Sequence, residues 1–149
     1  MNLKTDGIKK IKNNHDIFQY VALKDKSFKY LAMNHKNLDV WKKSISLIKK
    51  VYLLTESLPD SEKFGLTNQM KRAAVSITSN VAEGAARESD KEFIQFLYYS
   101  LGSSAELETQ LIITQELGFL TIPDDVNEEL QTTMRKILGL IRYLKSKKK

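Results

Sequence analysis

From residue 38 onward the apolar positions of this chain recur every three to four residues, the spacing of helices that bury one face. Residues 38–58 form the first such segment, ended by Pro59. At about 100° per residue, Trp41, Ile45, Ile48 and Tyr52 share one arc, and Val40, Leu47, Val51, Leu54 and Leu58 share a second arc beside it. Together they cover about 200°, where packing on one core needs a stripe only somewhat wider than about 100°. The excess predicts a second partner for this helix. Val40, Trp41, Leu47, Val51, Leu54 and Leu58 are therefore candidate subunit-interface residues, since water around each would forfeit roughly 1.5–3 kcal/mol of burial. Lys42, Lys43, Lys49 and Lys50 fill the remaining side.

The second segment, residues 67–85, places Leu66, Met70, Ala73, Ala74, Ile77, Val81 and Gly84 on its apolar face. Its small residues predict a close helix contact. The opposite side is polar, with Gln69, Arg72, Ser76, Ser79, Asn80 and Glu83. A Ser89-Asp90-Lys91-Glu92 capping box announces the third helix, in which serine and glutamate side chains satisfy exposed amides. That helix runs to about Leu117, with Gly118 as its stop. Glu108 falls inside its apolar arc and must find a partner, because an unpaired buried charge is too costly to keep. Arg72 is the expected partner, and Glu106 points elsewhere. The fourth helix starts near Pro123, expected at its first position, with Asp124 and Asp125 complementing the helix dipole. Val126, Leu130, Met134, Ile137, Ile141 and Leu144 form its apolar face.

Four helices with short links and no competing strand pattern predict an all-α fold, an antiparallel up-and-down four-helix bundle. Residues 1–32 lack sustained periodicity and are read as an N-terminal extension, and residues 33–149 as the bundle with a basic C-terminal tail.

Composition narrows the chemistry. The chain has 149 residues, enough for one domain with a real core, and a net charge of +6. That charge sits in the ends: residues 1–32 carry seven Lys against three Asp, and residues 142–149 carry five basic residues and no acid. The body between them is acidic. Absence of cysteine excludes disulfides and thiolate metal sites and fits a cytoplasmic protein. No apolar run approaches the length of a membrane span. The two histidines, His15 and His35, lie in or beside the extension, so the bundle offers no His-based catalysis and no His-rich metal site. No phosphate-binding glycine loop occurs, and no cofactor is implied.

The runs LDVWKKSISLIKKVY, LPDSEKFGLTNQMKRAAVSITSNVAEGAAR and SDKEFIQFLYYSLGSSAELETQL, in that order, closely resemble the bacterial four-helix-bundle family that includes proteins encoded in 23S ribosomal RNA intervening sequences. That family is similar to the accessory variability protein of diversity-generating retroelements, a barrel-shaped homopentamer of four-helix subunits that associates with reverse transcriptase and nucleic acid. The resemblance implies the bundle, a ring-shaped homo-oligomer with a pentamer favoured, and nucleic-acid binding. It places the family's characteristic residues at Asn80, Glu83, Gly84, Arg87, Gly102, Ser103, Glu106 and Glu108. Their chemistry is that of small contacts and ion pairs, so Arg72, Asn80, Glu83, Arg87, Glu106 and Glu108 are read as a structural polar network. The leading expectation is a non-enzymatic homo-oligomeric bundle that binds RNA or a ribonucleoprotein partner through Lys42, Lys43, Lys49, Lys50, Arg142, Lys145, Lys147, Lys148 and Lys149. With no aromatic-and-basic motif for base readout in the sequence, little sequence preference is expected. The rivals are a protein-interaction scaffold without nucleic-acid binding and, more remotely, an enzyme using Arg72, Asn80 and Glu83.

Overall fold

The computed structural model describes residues 34–147. The extension at residues 1–32 lies outside the described residues, as do Met33, Lys148 and Lys149 of the tail. Four α-helices account for most of the chain: α1 (Asp39–Thr55), α2 (Leu66–Ala85), α3 (Asp90–Glu116) and α4 (Asp124–Ser146), with single 3-10 turns at His35–Asn37 and Asp60–Glu62. The described residues contain no strand.

The helix ends follow local chemistry. Helix α1 stops at Thr55, three residues short of the expected Leu58, because its exit tightens into bonds of 3-10 type: the amides of Glu56, Ser57 and Leu58 donate to the carbonyls of Leu53, Leu54 and Thr55. At the start of α3 the Ser89 hydroxyl accepts from the Glu92 amide at 3.2 Å, as the capping box predicts. The Glu92 carboxylate accepts a hydrogen bond from the Ser89 hydroxyl at 2.8 Å instead of one from the serine amide. At the far end Gly118 adopts φ 71°, its amide donates to the Gln115 carbonyl and the Phe119 amide to that of Thr114. That double bond is the Schellman closure, and its left-handed residue explains the glycine. Pro123 is the N-cap of α4, one position before the expected one, with extended ψ of 140°.

Each helix packs against two others, α1 on α2 and α4, α3 on α2 and α4, so the four close into a square around one core. Neighbours run antiparallel: Lys50, late in α1, meets Asp125 at the start of α4, while Asp39 at the start of α1 meets Lys136 farther along α4. Leu47, Val51, Met70, Ile77, Val81, Phe93, Leu97, Leu107, Leu111, Leu130, Ile137 and Leu144 fill the centre. The closest pair is α2 and α3, and Gly84 sets its approach. A Cβ there would lie 2.7 Å from both Phe93 Cδ2 and Phe96 Cβ, so only glycine fits between the helices.

The interface expected on α1 is corrected for Val40, Leu47, Val51 and Leu58. Val40, Leu47, Val51 and Leu58 are buried in the subunit's own core, and Leu54 and Trp41 are half-buried, with the Trp41 ring edge-on to His35 at 5.3 Å. The second arc is the core face; the first is the flank, where Ile45 and Ile48 are half-buried and Tyr52 is exposed. Helix α1 sits in the angle between α2 and α4, which buries the second arc and covers the first only in part.

Candidate nucleic-acid interface

The lysines of α1 divide into two pairs with different fates. Lys43 reaches α4, where its ammonium lies 2.8 Å from Glu129 Oε2. Lys50 binds Asp125 Oδ2 at 2.5 Å, donates to the Asp125 carbonyl at 3.2 Å and stands 3.9 Å from Glu129. These two fasten α1 to α4, which corrects the expectation of a four-lysine stripe facing a ligand. Lys42 and Lys49 are exposed and form no ion pair among the described residues.

Glu129 is the buried charge among the described residues. Burial pushes its carboxyl upward, but the bond from Lys43, the nearby Ser46 hydroxyl and the charges of Lys43 and Lys50 outweigh it and leave the group below the ordinary glutamate range. The hydrogen bond from Lys50 holds the Asp125 carboxyl low, and the same bond lifts the Lys50 ammonium. Periodicity placed Glu129 beside the apolar arc without marking it, because its partners lie on another helix.

The expected polar network resolves into separate pieces. Asn80 donates to the Ser76 carbonyl at 2.9 Å and to its hydroxyl at 3.1 Å, and Ser76 shares a 2.8 Å bond with Ser103 across the α2 and α3 seam. Beside it Ser100 donates to the Ile77 carbonyl at 2.9 Å. Glu83 pairs with Arg87 one turn on, and Arg87 also lies over the Phe96 ring at 4.5 Å. Glu106 accepts from Gln110 at 3.1 Å. The Glu108 to Arg72 ion pair does not form. Glu108 is half-buried on the α4 side of α3 and accepts from Gln131 at 2.6 Å, whereas Arg72 is exposed on α2, across the bundle's corner. Arg72 instead lines an open cleft of about 580 Å³ with Tyr52, Gln69, Lys71, Ser76 and Glu106. From Arg72 to Glu83 the α2 axis rises about 16 Å, so Arg72, Asn80 and Glu83 do not converge on one point. Among the described residues no group of His, Asp and Glu could hold a metal ion.

The other basic cluster carries more. Arg142, Lys145 and Lys147 are exposed on the last turns of α4; Lys148 and Lys149 lie outside the described residues. Lys145 donates to the Tyr98 hydroxyl of α3 at 3.0 Å, and Lys147 lies 4.6 Å over the Tyr143 ring. The sequence reading missed both tyrosines. Tyr143 and Lys147 were legible as neighbours one helical turn apart, but Tyr98 joins Lys145 only through the fold.

One exposed face lacks charge. Beyond Tyr98, the outward side of α3 carries Gly102, Ala105, Thr109 and Ile112 in succession, with Leu138 of α4 also exposed. A Cβ on Gly102 would meet nothing within 4 Å. Glycine in a helix interior costs about 0.5–1 kcal/mol relative to alanine, and nothing among the described residues requires it there.

Among solved structures, a Bacteroides thetaiotaomicron protein of unknown function from the S23 ribosomal protein family is similar at 23% identity, with a TM-score of 0.64 over 69% of this chain and 95% of that one. This likeness supports the helical fold. No curated protein matches the chain. The family described as 23S rRNA-intervening sequence protein matches residues 36–143, from the turn before α1 to the last turn of α4. With that match spanning all four helices, the chain belongs to the 23S rRNA-intervening sequence protein family.

Proposed function

We propose that this chain is a non-enzymatic, self-associating helical bundle that binds RNA in the cytoplasm, alone or within a ribonucleoprotein, through cations left outside its internal ion pairs. The observation that carries the reading is the charge of α4: the chain has no acidic residue after Glu129, and Arg142, Lys145 and Lys147 stand exposed there. Lys42 and Lys49 of α1 add to it. The family description refers to a 23S ribosomal RNA intervening sequence, and the similar crystal structure is assigned to a ribosomal protein family. Both are consistent with an RNA partner. Support for a non-catalytic role comes from the polar residues of α2: Asn80 and Glu83 bond within their own helix or its C-terminal turn.

Self-association is assigned to the uncharged face of α3. Ile112 is 57% and Leu138 44% exposed, and burying each in a neighbour would contribute up to roughly 1.5–3 kcal/mol. Gly102 would let that neighbour approach closely. A closed ring of five subunits is the assembly that the resemblance to the accessory variability protein implies, and a ring repeats each basic cluster in every subunit.

The test is RNA retention at low and high salt. Wild type should bind at low salt and lose affinity steeply as salt rises, because each neutralised phosphate releases counterions. A variant with Lys42, Lys49, Arg142, Lys145 and Lys147 changed to Gln should lose most of that binding. Equal retention by both proteins would refute the reading.

A further inference from the structure

The end of α4 and Tyr98 of α3 form a strip in which aromatic rings alternate with cations. Around the outward side of α4, Lys145, Arg142, Ser146, Tyr143 and Lys147 follow one another through about 200°, from the side facing α3 toward the side facing α1. The first side is fixed by the Lys145 bond to Tyr98 and the second by the Lys136 contact with Asp39. Arg142 thus lies between the two tyrosines.

Both rings offer a face. Tyr98 is 46% and Tyr143 57% exposed. The Lys145 ammonium is 3.0 Å from the Tyr98 hydroxyl and 5.4 Å from its ring centroid, which puts it out past the hydroxyl and not over the ring. Lys145 therefore fixes the ring without covering its exposed face. Lys147 covers one face of Tyr143 at 4.6 Å, and its charge reinforces a base stacked on the other.

We propose that this strip binds an unpaired RNA strand, with phosphates held by Arg142, Lys145 and Lys147 and bases stacked on Tyr98 and Tyr143. The proposal rests on the RNA-binding reading above and adds the class of RNA. Open ring faces discriminate because a duplex hides its base faces in its own stack and offers only phosphates and groove edges, whereas a single strand presents a π-face with every base. Stacking of this kind tolerates any base, so the strip confers strandedness without sequence preference.

The experiment measures fluorescence anisotropy of the full chain with a labelled mixed-sequence single-stranded RNA and with a duplex of the same length, across a salt series. Four proteins are compared: wild type, Tyr98→Ala with Tyr143→Ala, Tyr98→Phe with Tyr143→Phe, and Arg142→Gln with Lys145→Gln. Wild type should prefer the single strand, and the alanine pair should weaken single-strand binding at least about tenfold while leaving the duplex unchanged. The phenylalanine pair, which keeps both rings, should bind the single strand within about twofold of wild type. The Arg142 and Lys145 pair should bind both RNAs less well with a shallower salt slope. Equal wild-type affinity for the two RNAs, alanine variants that bind the single strand as wild type does, or phenylalanine variants as weak as the alanine pair would overturn the strip and leave RNA binding standing. A wild type that binds neither RNA would overturn both.

Discussion

A single methyl group at position 84 would collide with the side chains of Phe93 and Phe96, 2.7 Å from an atom of each. Phe96 Cβ is anchored to the backbone of α3, so the helices themselves would have to separate. Gly84→Ala is therefore expected to destabilise the subunit by about 1–3 kcal/mol, the range of overpacked cores, despite alanine's better helix propensity. Urea unfolding checks this; a neutral or stabilising result would mean that α2 and α3 are not fixed at this distance. The two internal glutamates should differ in the same assay. Glu129 is buried and bonded to a lysine, so Glu129→Gln should cost about 1.5–3 kcal/mol, the range for a hydrogen bond to a charged group. Glu108, half-buried against the neutral Gln131, should cost less than about 1 kcal/mol when changed to Gln. The sequence marked Glu108 and not Glu129 as the critical carboxylate, because a residue's angle on one helix says nothing about what the facing helix brings to it.

At the scale of elements, α1 and α4 are joined by charge where α2 and α3 are joined by close contact. Asp125 and Glu129 both have carboxyls held below their ordinary range. A depressed carboxyl contributes stability that is fully present above its unfolded pKa, about 4, and is lost as pH falls through the folded value. Lys50 has the opposite sign: its raised ammonium contributes stability below its unfolded pKa, about 10.4, that is lost as pH rises through the folded value. Thermal melts are expected to weaken below about pH 4 through the carboxylates and above about pH 10 through the lysine. Glu129→Gln should flatten part of the acid limb and keep most of the alkaline limb, whose main cause is the Lys50 bond to Asp125. An unchanged acid limb would show that the seam between α1 and α4 does not carry the dependence.

For the whole molecule the question is what covers α3. Its outward face presents Gly102, Ala105, Thr109 and Ile112 without a charge along nearly three turns. Changing Ile112 and Leu138 to Glu is expected to leave the subunit's helical content intact and convert the assembly to monomers in sedimentation equilibrium. Gly102→Ala should give a complementary result: a subunit more stable by about 0.5–1 kcal/mol, since the added methyl meets nothing, and a weaker assembly, since the second copy loses its close approach. Wild-type monomers at micromolar concentration would refute the face as a subunit contact. A second copy here would also bring the basic ends of several α4 helices into one particle, which would steepen the salt dependence of RNA binding.

Periodicity, caps and stops are properties of consecutive residues, so the sequence by itself determined four helices, their near-correct ends, the Ser89 cap, the Gly118 closure and the close contact that small residues on α2 permit. The core face of α1 was also visible, but not that the chain's own core would take Val40, Leu47, Val51 and Leu58. Which lysine is tied and which is exposed, which glutamate is buried, and which tyrosine stands beside which cation were decided only by the tertiary structure. Lys43 and Lys42 are adjacent in sequence, yet α4 supplies carboxylates to the first and none to the second. Tyr98 and Lys145 are far apart in sequence and meet through a hydrogen bond between α3 and α4. Pairings of this kind depend on how far each helix is rotated and shifted against its neighbour, and close packing of the whole core sets those offsets at once.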